Sequence, residues 1–90
     1  MAKIFNKIVV VPQNGVYPFK VEYSGMGNNG CYVGGHVEVR DPSRVYGVVA
    51  NIAGKMFGPR SVSLEKGVDL GEHLGPLRQR LQEARLECNF

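Results

Sequence analysis

An α+β domain is the fold this sequence predicts: an antiparallel sheet of three to four strands with two helices, in the order β-β-β-α-β-α. Three observations predict it. Ile8-Val9-Val10-Val11 is a β-branched run too short for a helix, and residues 16–23 alternate cleanly. Asp41-Pro42 opens a stretch in which Val45, Val48, Val49, Ile52 and Met56 recur at helical spacing. Residues 1–90 carry neither an internal repeat nor a linker, so they form a single domain with one core.

Each element has its own signal. Lys7–Val11 is the first strand, and its unbroken apolarity implies cover on both faces, from a helix on one side and a partner chain on the other. Pro12-Gln13-Asn14-Gly15 is a turn, because Asn and Gly tolerate positive φ. In the second strand, Val16–Tyr23, Tyr17, Phe19, Val21 and Tyr23 point one way, beneath a helix. Pro18 lacks an N–H, so either this strand lies at a sheet edge or the proline faces away from its neighbour. Ser24–Gly30 is a glycine-rich, flexible hairpin tip.

Cys31–Arg40 alternates again, with Tyr32, His36, Glu38 and Arg40 on the outer face, and Gly34-Gly35 predicts a bulge or a close backbone approach. Asp41 caps the first helix, Pro42 fits its first position, and Gly58-Pro59 ends it. Gly47 and Gly54 weaken that helix, for which close packing on the sheet would compensate. A short strand follows at Ser61–Leu64. Asp69 and Glu72 resemble a capping box ahead of a turn at Leu70–Leu74. The second helix then runs from Pro76 to about Glu87, with Leu77, Leu81 and Ala84 inward.

Composition removes whole classes of function. With 43% apolar and 21% charged residues the chain is an ordinary globular one, too short for a doubly wound dinucleotide domain with a substrate domain attached. The net charge of +3 comes from cations spread along the chain, not gathered in a patch. Cys31 and Cys88 form no CxxC pair and read as two reduced thiols of a cytoplasmic protein. The longest apolar run is far below the roughly 20 residues of a membrane span, and no signal peptide is recognisable.

Chemistry-bearing patterns fare poorly. Gly25-Met26-Gly27-Asn28-Asn29-Gly30 matches GxGxxG, yet a strand follows it where a dinucleotide site needs a helix. His36, His73, Cys31 and Cys88 lack zinc spacing, so no metal and no cofactor is expected. Cys31 and His36 lie an odd number apart on one strand, hence on opposite faces, and no carboxylates are paired for acid–base work. The expectation is a protein that is not an enzyme.

Two resemblances arise from the order of elements. Gly15 to Gly58 looks like the three-strands-then-helix layout of AP2-type and integrase-arm DNA-binding domains, which implies DNA reading from the sheet; only Lys20 and Arg40 are basic in its second and third strands. The whole chain is similar in style to small phage-encoded inhibitors, including type I anti-CRISPR proteins. The shared features are its size, an early hairpin at Val9–Tyr23, the Asp41-Pro42-Ser43 step into a helix, and the strand at Ser61–Leu64. That resemblance implies a blocker that occupies a surface of a host protein complex.

The expected partner-binding residues are Lys20, Met26, Asn28, Asn29, Tyr32, His36 and Arg40. The alternative is a small DNA- or RNA-binding protein using the sheet or the last helix, with phosphate contacts from Lys20, Arg40, Arg44, Arg78, Arg80 and Arg85. A homodimer is compatible with either.

Overall fold

The computed structural model describes residues 6–90. Five strands and two helices follow in order: β1 (Asn6–Pro12), β2 (Phe19–Met26), β3 (Tyr32–Val39), α1 (Val45–Gly54), β4 (Arg60–Leu64), α2 (Leu74–Glu83) and β5 (Glu87–Cys88). Single 3₁₀ turns at Pro42–Arg44 and Gly71–His73 lead into the helices. The α+β class and the predicted order of elements hold. The sheet, however, is mixed: its order is β3-β2-β1-β4-β5, with β1–β2 and β2–β3 antiparallel but β1–β4 and β4–β5 parallel. The connection through α1 returns the chain alongside β1 in the same direction, as a strand–helix–strand crossover does.

Both helices cover one face. Ile8, Val10, Phe19, Val21, Val39 and Val62 from the sheet meet Val45, Val49, Ile52, Leu77 and Leu81 from the helices in one buried cluster. Alternation explains this: the cross-strand pairs Val10↔Val21 and Ile8↔Tyr23, and the parallel pair Ile8↔Val62, place the same parity of each strand under the helices. β1 lies at the centre of the sheet, which accounts for its apolar run. Val9 on the helix-free face is only half-buried, whereas Val11 is buried.

Several local expectations need correction. The β1–β2 connection is a six-residue loop, Gln13–Pro18, closed by Gln13 N–H donating to Pro18 O at 2.7 Å, with Gly15 at φ +86°. Tyr17 and Pro18 therefore precede the strand. Tyr17 is 39% exposed and stacks under Arg40, while Phe19 and Tyr23 do pack beneath the helix side. β2 is an inner strand, so Pro18 marks its start and not an edge. Gly34-Gly35 makes no bulge; β2 and β3 stay in continuous register from Phe19↔Val39 to Met26↔Tyr32. Tyr23 lies against Gly35 and Tyr32 folds over Gly34, so the glycines make room for rings.

Asp41 does cap, its Oδ1 accepting from Ser43 N–H at 2.9 Å with Pro42 following, but what it caps is the 3₁₀ turn Pro42–Arg44; α1 itself starts at Val45, with no side-chain cap. That bond holds the Asp41 carboxyl below its ordinary range, so the stabilisation it brings is present at neutral pH and fades as acid protonates it. α1 stops at Gly54, four residues ahead of Gly58, and Arg60 donates to Ala53 O at 2.8 Å across its C-terminal end. Gly47 and Gly54 are not packed on the sheet; a Cβ at either would meet nothing. Gly47 is therefore a pure propensity cost. Gly47→Ala is expected to raise stability by ~0.5–1 kcal/mol, read as a higher urea midpoint at unchanged m-value.

The C-terminal segment differs most from expectation. Asp69 Oδ1 accepts from Gly71 N–H at 2.9 Å, two residues on, in place of a capping box. α2 begins at Leu74, so Gly75 and Pro76 fall within its first turn, where Pro leaves no hydrogen bond unmade. The helix closes at Glu83, and the chain turns into β5. The turn is a Schellman motif: Leu86 N–H donates to Leu81 O and Arg85 N–H to Gln82 O, both at 3.0 Å, with Leu81 and Leu86 buried. Ala84 is exposed, outside the buried stripe. Arg85 occupies the left-handed position, at φ 62°, that glycine fills at no steric cost. Arg85→Gly is expected to stabilise the fold by ~1 kcal/mol, visible in chemical denaturation.

A candidate interaction surface

The β2–β3 hairpin holds most of the surface features. Its helix-free face is set by alternation: Lys20 pairs with Glu38, Glu22 with His36, and Met26 with Tyr32 across the strands. Four of the seven expected partner-binding residues, Lys20, Met26, Tyr32 and His36, thus share one face. The face is mixed in charge. Lys20 Nζ lies 3.3 Å from Glu22 Oε2, the one ion pair among the described residues, and His36 and Glu38 are exposed. Tyr32 is 77% exposed, a large ring held in water.

The other three expected residues have different work. Asn28 Nδ2 donates to Gly54 O at 2.9 Å and Asn28 N–H to Lys55 O at 3.1 Å, which satisfies carbonyls at the C-terminal end of α1. Asn29 Oδ1 accepts from Cys31 N–H at 3.0 Å in a tight local turn. Phe57 N–H donates to Met26 O at 2.9 Å, and Gly27 bridges to Met56. The glycine-rich segment is therefore not a free tip. Ser24–Met26 continue β2, and the remainder is fastened to the end of α1. Arg40 lies beyond β3 with its guanidinium 5.4 Å from the Tyr17 ring centre.

A residue that sequence reasoning missed anchors this end of the molecule. Asn6 is fully buried. Its Nδ2 donates to Phe57 O at 2.5 Å and Met26 O at 3.3 Å, and its Oδ1 accepts from Met26 N–H at 2.7 Å. Gly25 makes room for it: a Cβ there would overlap the Asn6 amide, 2.6 Å from its Cγ, and the backbone at Gly25 holds a φ of +155° that itself favours glycine. Asn before an apolar run carries no sequence signal of this role.

A groove opens between β3 and α1. It encloses about 420 Å³ and is lined by Tyr23, Val33, Val37, Val48, Ile52 and Lys55, with Asn51, Gly34 and the ring of Tyr32, which folds over Gly34 at the strand edge, completing it. Its walls are mainly apolar, and its one charged lining residue is Lys55.

The six cations expected to contact phosphate do not gather on one surface. Lys20 is paired on the helix-free face. Arg78 Nε donates to Phe90 O at 3.0 Å, and Arg80 lies 4.1 Å over the Tyr46 ring. Arg44 and Arg80 do border one hollow on the outer side of α1, while Arg85 marks the end of α2.

Cys31 and Cys88 are free thiols, the first exposed. Burial pushes the Cys88 thiol up, against the opposing pull of Arg78, so it stays protonated at neutral pH. Among the described residues no three His, Cys, Asp or Glu side chains converge, and no helix is long and apolar enough to cross a membrane. Comparison with protein-family models, with curated proteins and with solved structures finds no match to this chain.

Proposed function

We propose that this chain is a protein–protein interaction module that acts without chemistry of its own, by occupying a surface of a larger complex. In its sharpest form the proposal is an inhibitor of the phage-encoded, anti-CRISPR kind that blocks a host assembly. The observation that supports it best is the exposed helix-free face of β2 and β3. There a bare tyrosine, a methionine, a histidine and a Lys–Glu pair lie side by side on a rigid antiparallel ladder. Exposed aromatic side chains on ordered backbone anchor protein interfaces, and mixed charge around them suits a protein partner better than a phosphate backbone.

The test is capture from host lysate with immobilised wild-type chain and with a Tyr32→Ala/His36→Ala variant. Wild type is expected to retain a stoichiometric protein that the variant loses by about tenfold or more, while the two unfold at the same temperature. Recovery of no stoichiometric partner, or of the same partner at equal yield by both, overturns the proposal.

A further inference from the structure

We infer that the edge of β3, together with the groove beside it, accepts an extended acidic peptide segment of a partner protein as a sixth strand. This rests on the reading of the chain as an interaction module and names a mode of binding and a partner chemistry. The first observation is the edge itself. β3 is the outermost strand of the sheet and pairs, among the described residues, only with β2. It runs eight residues in unbroken register, contains no proline, and is exposed along nearly all of its length. Natural sheets protect such edges with bulges, prolines or short strands, and β3 has none of these. Its outward N–H and C=O groups offer a ladder to any extended chain.

The second observation is the groove. An added strand projects alternate side chains to opposite faces of the sheet. Those turned toward the helices enter the space walled by Val33, Val37, Val48 and Ile52. Edge pairing with pockets for alternate side chains is the division of labour by which strand addition combines affinity and specificity.

The third observation is charge, and it selects the occupant. α1 contains no acidic residue. Lys55 lines the groove, and a neighbouring hollow, which shares Val48 and Asn51 with it, continues along α1 to Arg44 and Arg80. No carboxylate lines either one. A segment whose groove-facing side chains, every second residue, combine apolar ones for the walls with an Asp or Glu for Lys55 satisfies both; its intervening side chains face away, beside His36 and Glu38. A second copy of this chain, paired along β3, would bring another Arg44 and Lys55 to the same side and add like charge.

The test is selection of a display library of random octapeptides against three full-length chains: wild type, Lys55→Glu and Val48→Lys. Both substituted side chains reach the surface, and thermal unfolding checks that the variants remain folded. Wild type is expected to enrich peptides that carry apolar residues and an Asp or Glu at positions two apart, on one face of an extended chain. Lys55→Glu is expected to reverse that preference toward basic peptides, and Val48→Lys to weaken binding of the wild-type winners by about tenfold or more. The winning peptide is expected to shift backbone amide resonances of Tyr32–Val39. Three outcomes overturn the inference: no enrichment, winners indifferent to Lys55→Glu, or winners that perturb the helix-free face and leave the β3 edge unchanged. Concentration-dependent dimerisation abolished by Val37→Lys also overturns it, in favour of a second copy as occupant. If octapeptides fail while lysate capture still depends on Tyr32 and His36, strand addition falls and the interaction module stands.

Discussion

Replacing Asn6 by alanine is expected to cost ~2–4 kcal/mol of folding stability, a large share of what a small domain has. The amide joins the β2 end of the glycine-rich segment to the loop before β4 through three hydrogen bonds, all made by one fully buried side chain. Alanine leaves Met26 N–H and the Phe57 carbonyl without those partners, while Met26 O keeps the Phe57 N–H, and each group so stranded costs ~1–3 kcal/mol. Asn6→Asp does not rescue the fold. A carboxylate still accepts from Met26 N–H, but it has nothing to donate to the two carbonyls and brings a charge into a buried site. Urea unfolding measures both variants; an Asn6→Ala loss under ~1 kcal/mol would show that water or relaxed backbone replaces the amide.

The second large effect is expected at Gly25. Gly25→Ala sets a methyl inside van der Waals contact with the Asn6 amide, at 2.6 Å from Cγ and 2.9 Å from Cβ. Asn6 is held from both sides by the hydrogen bonds just described and cannot swing away without breaking them. A loss of ~1–3 kcal/mol is expected, the usual range for overpacking a closed site. The two sites are in direct contact, so their effects must couple. Gly25→Ala introduced into the Asn6→Ala background is expected to cost less than in wild type, by ~0.5–3 kcal/mol, because most of the atoms it strikes are gone. The Asn6 Cβ remains close, and the φ of +155° at Gly25 strains an alanine in either background, so the relief is partial. Additive losses across the four chains of this cycle would refute the claim that Gly25 is glycine on account of Asn6.

Much of the candidate surface was legible in the sequence. Residues 32–39 alternate, and alternation alone puts Tyr32, His36 and Glu38 on the outer face whatever the partner strand is. Lys20 and Met26 joined them because β2 and β3 are neighbouring arms of a hairpin. Asn28 and Asn29 look like free loop residues in one dimension. The Asn28 bonds to Gly54 and Lys55 appear only when the loop folds onto the end of α1, while Asn29 closes a local turn onto Cys31. The groove was not legible, since its walls come from β2, β3 and α1, and no single stretch of sequence records their meeting.

The sequence by itself determined where β1 and β3 lie, where the turn leading into α1 begins, and which side of each strand faces the core. These follow from period-two and period-3.6 patterning and from Asp41-Pro42, all of which act within a few residues. Tertiary structure decided the rest: that β4 pairs parallel with β1, that β3 and not β2 is the edge, that Asn6 is buried, and that α2 ends about four residues early. Strand partnership is chosen by burying both faces of the most apolar strand at the centre of the sheet, a non-local competition that no window of sequence contains. At the end of α2, burial of Leu81 against Leu86 and two closing hydrogen bonds outweigh the ~1–2 kcal/mol cost of a left-handed arginine, so the chain turns where local preference would have continued the helix.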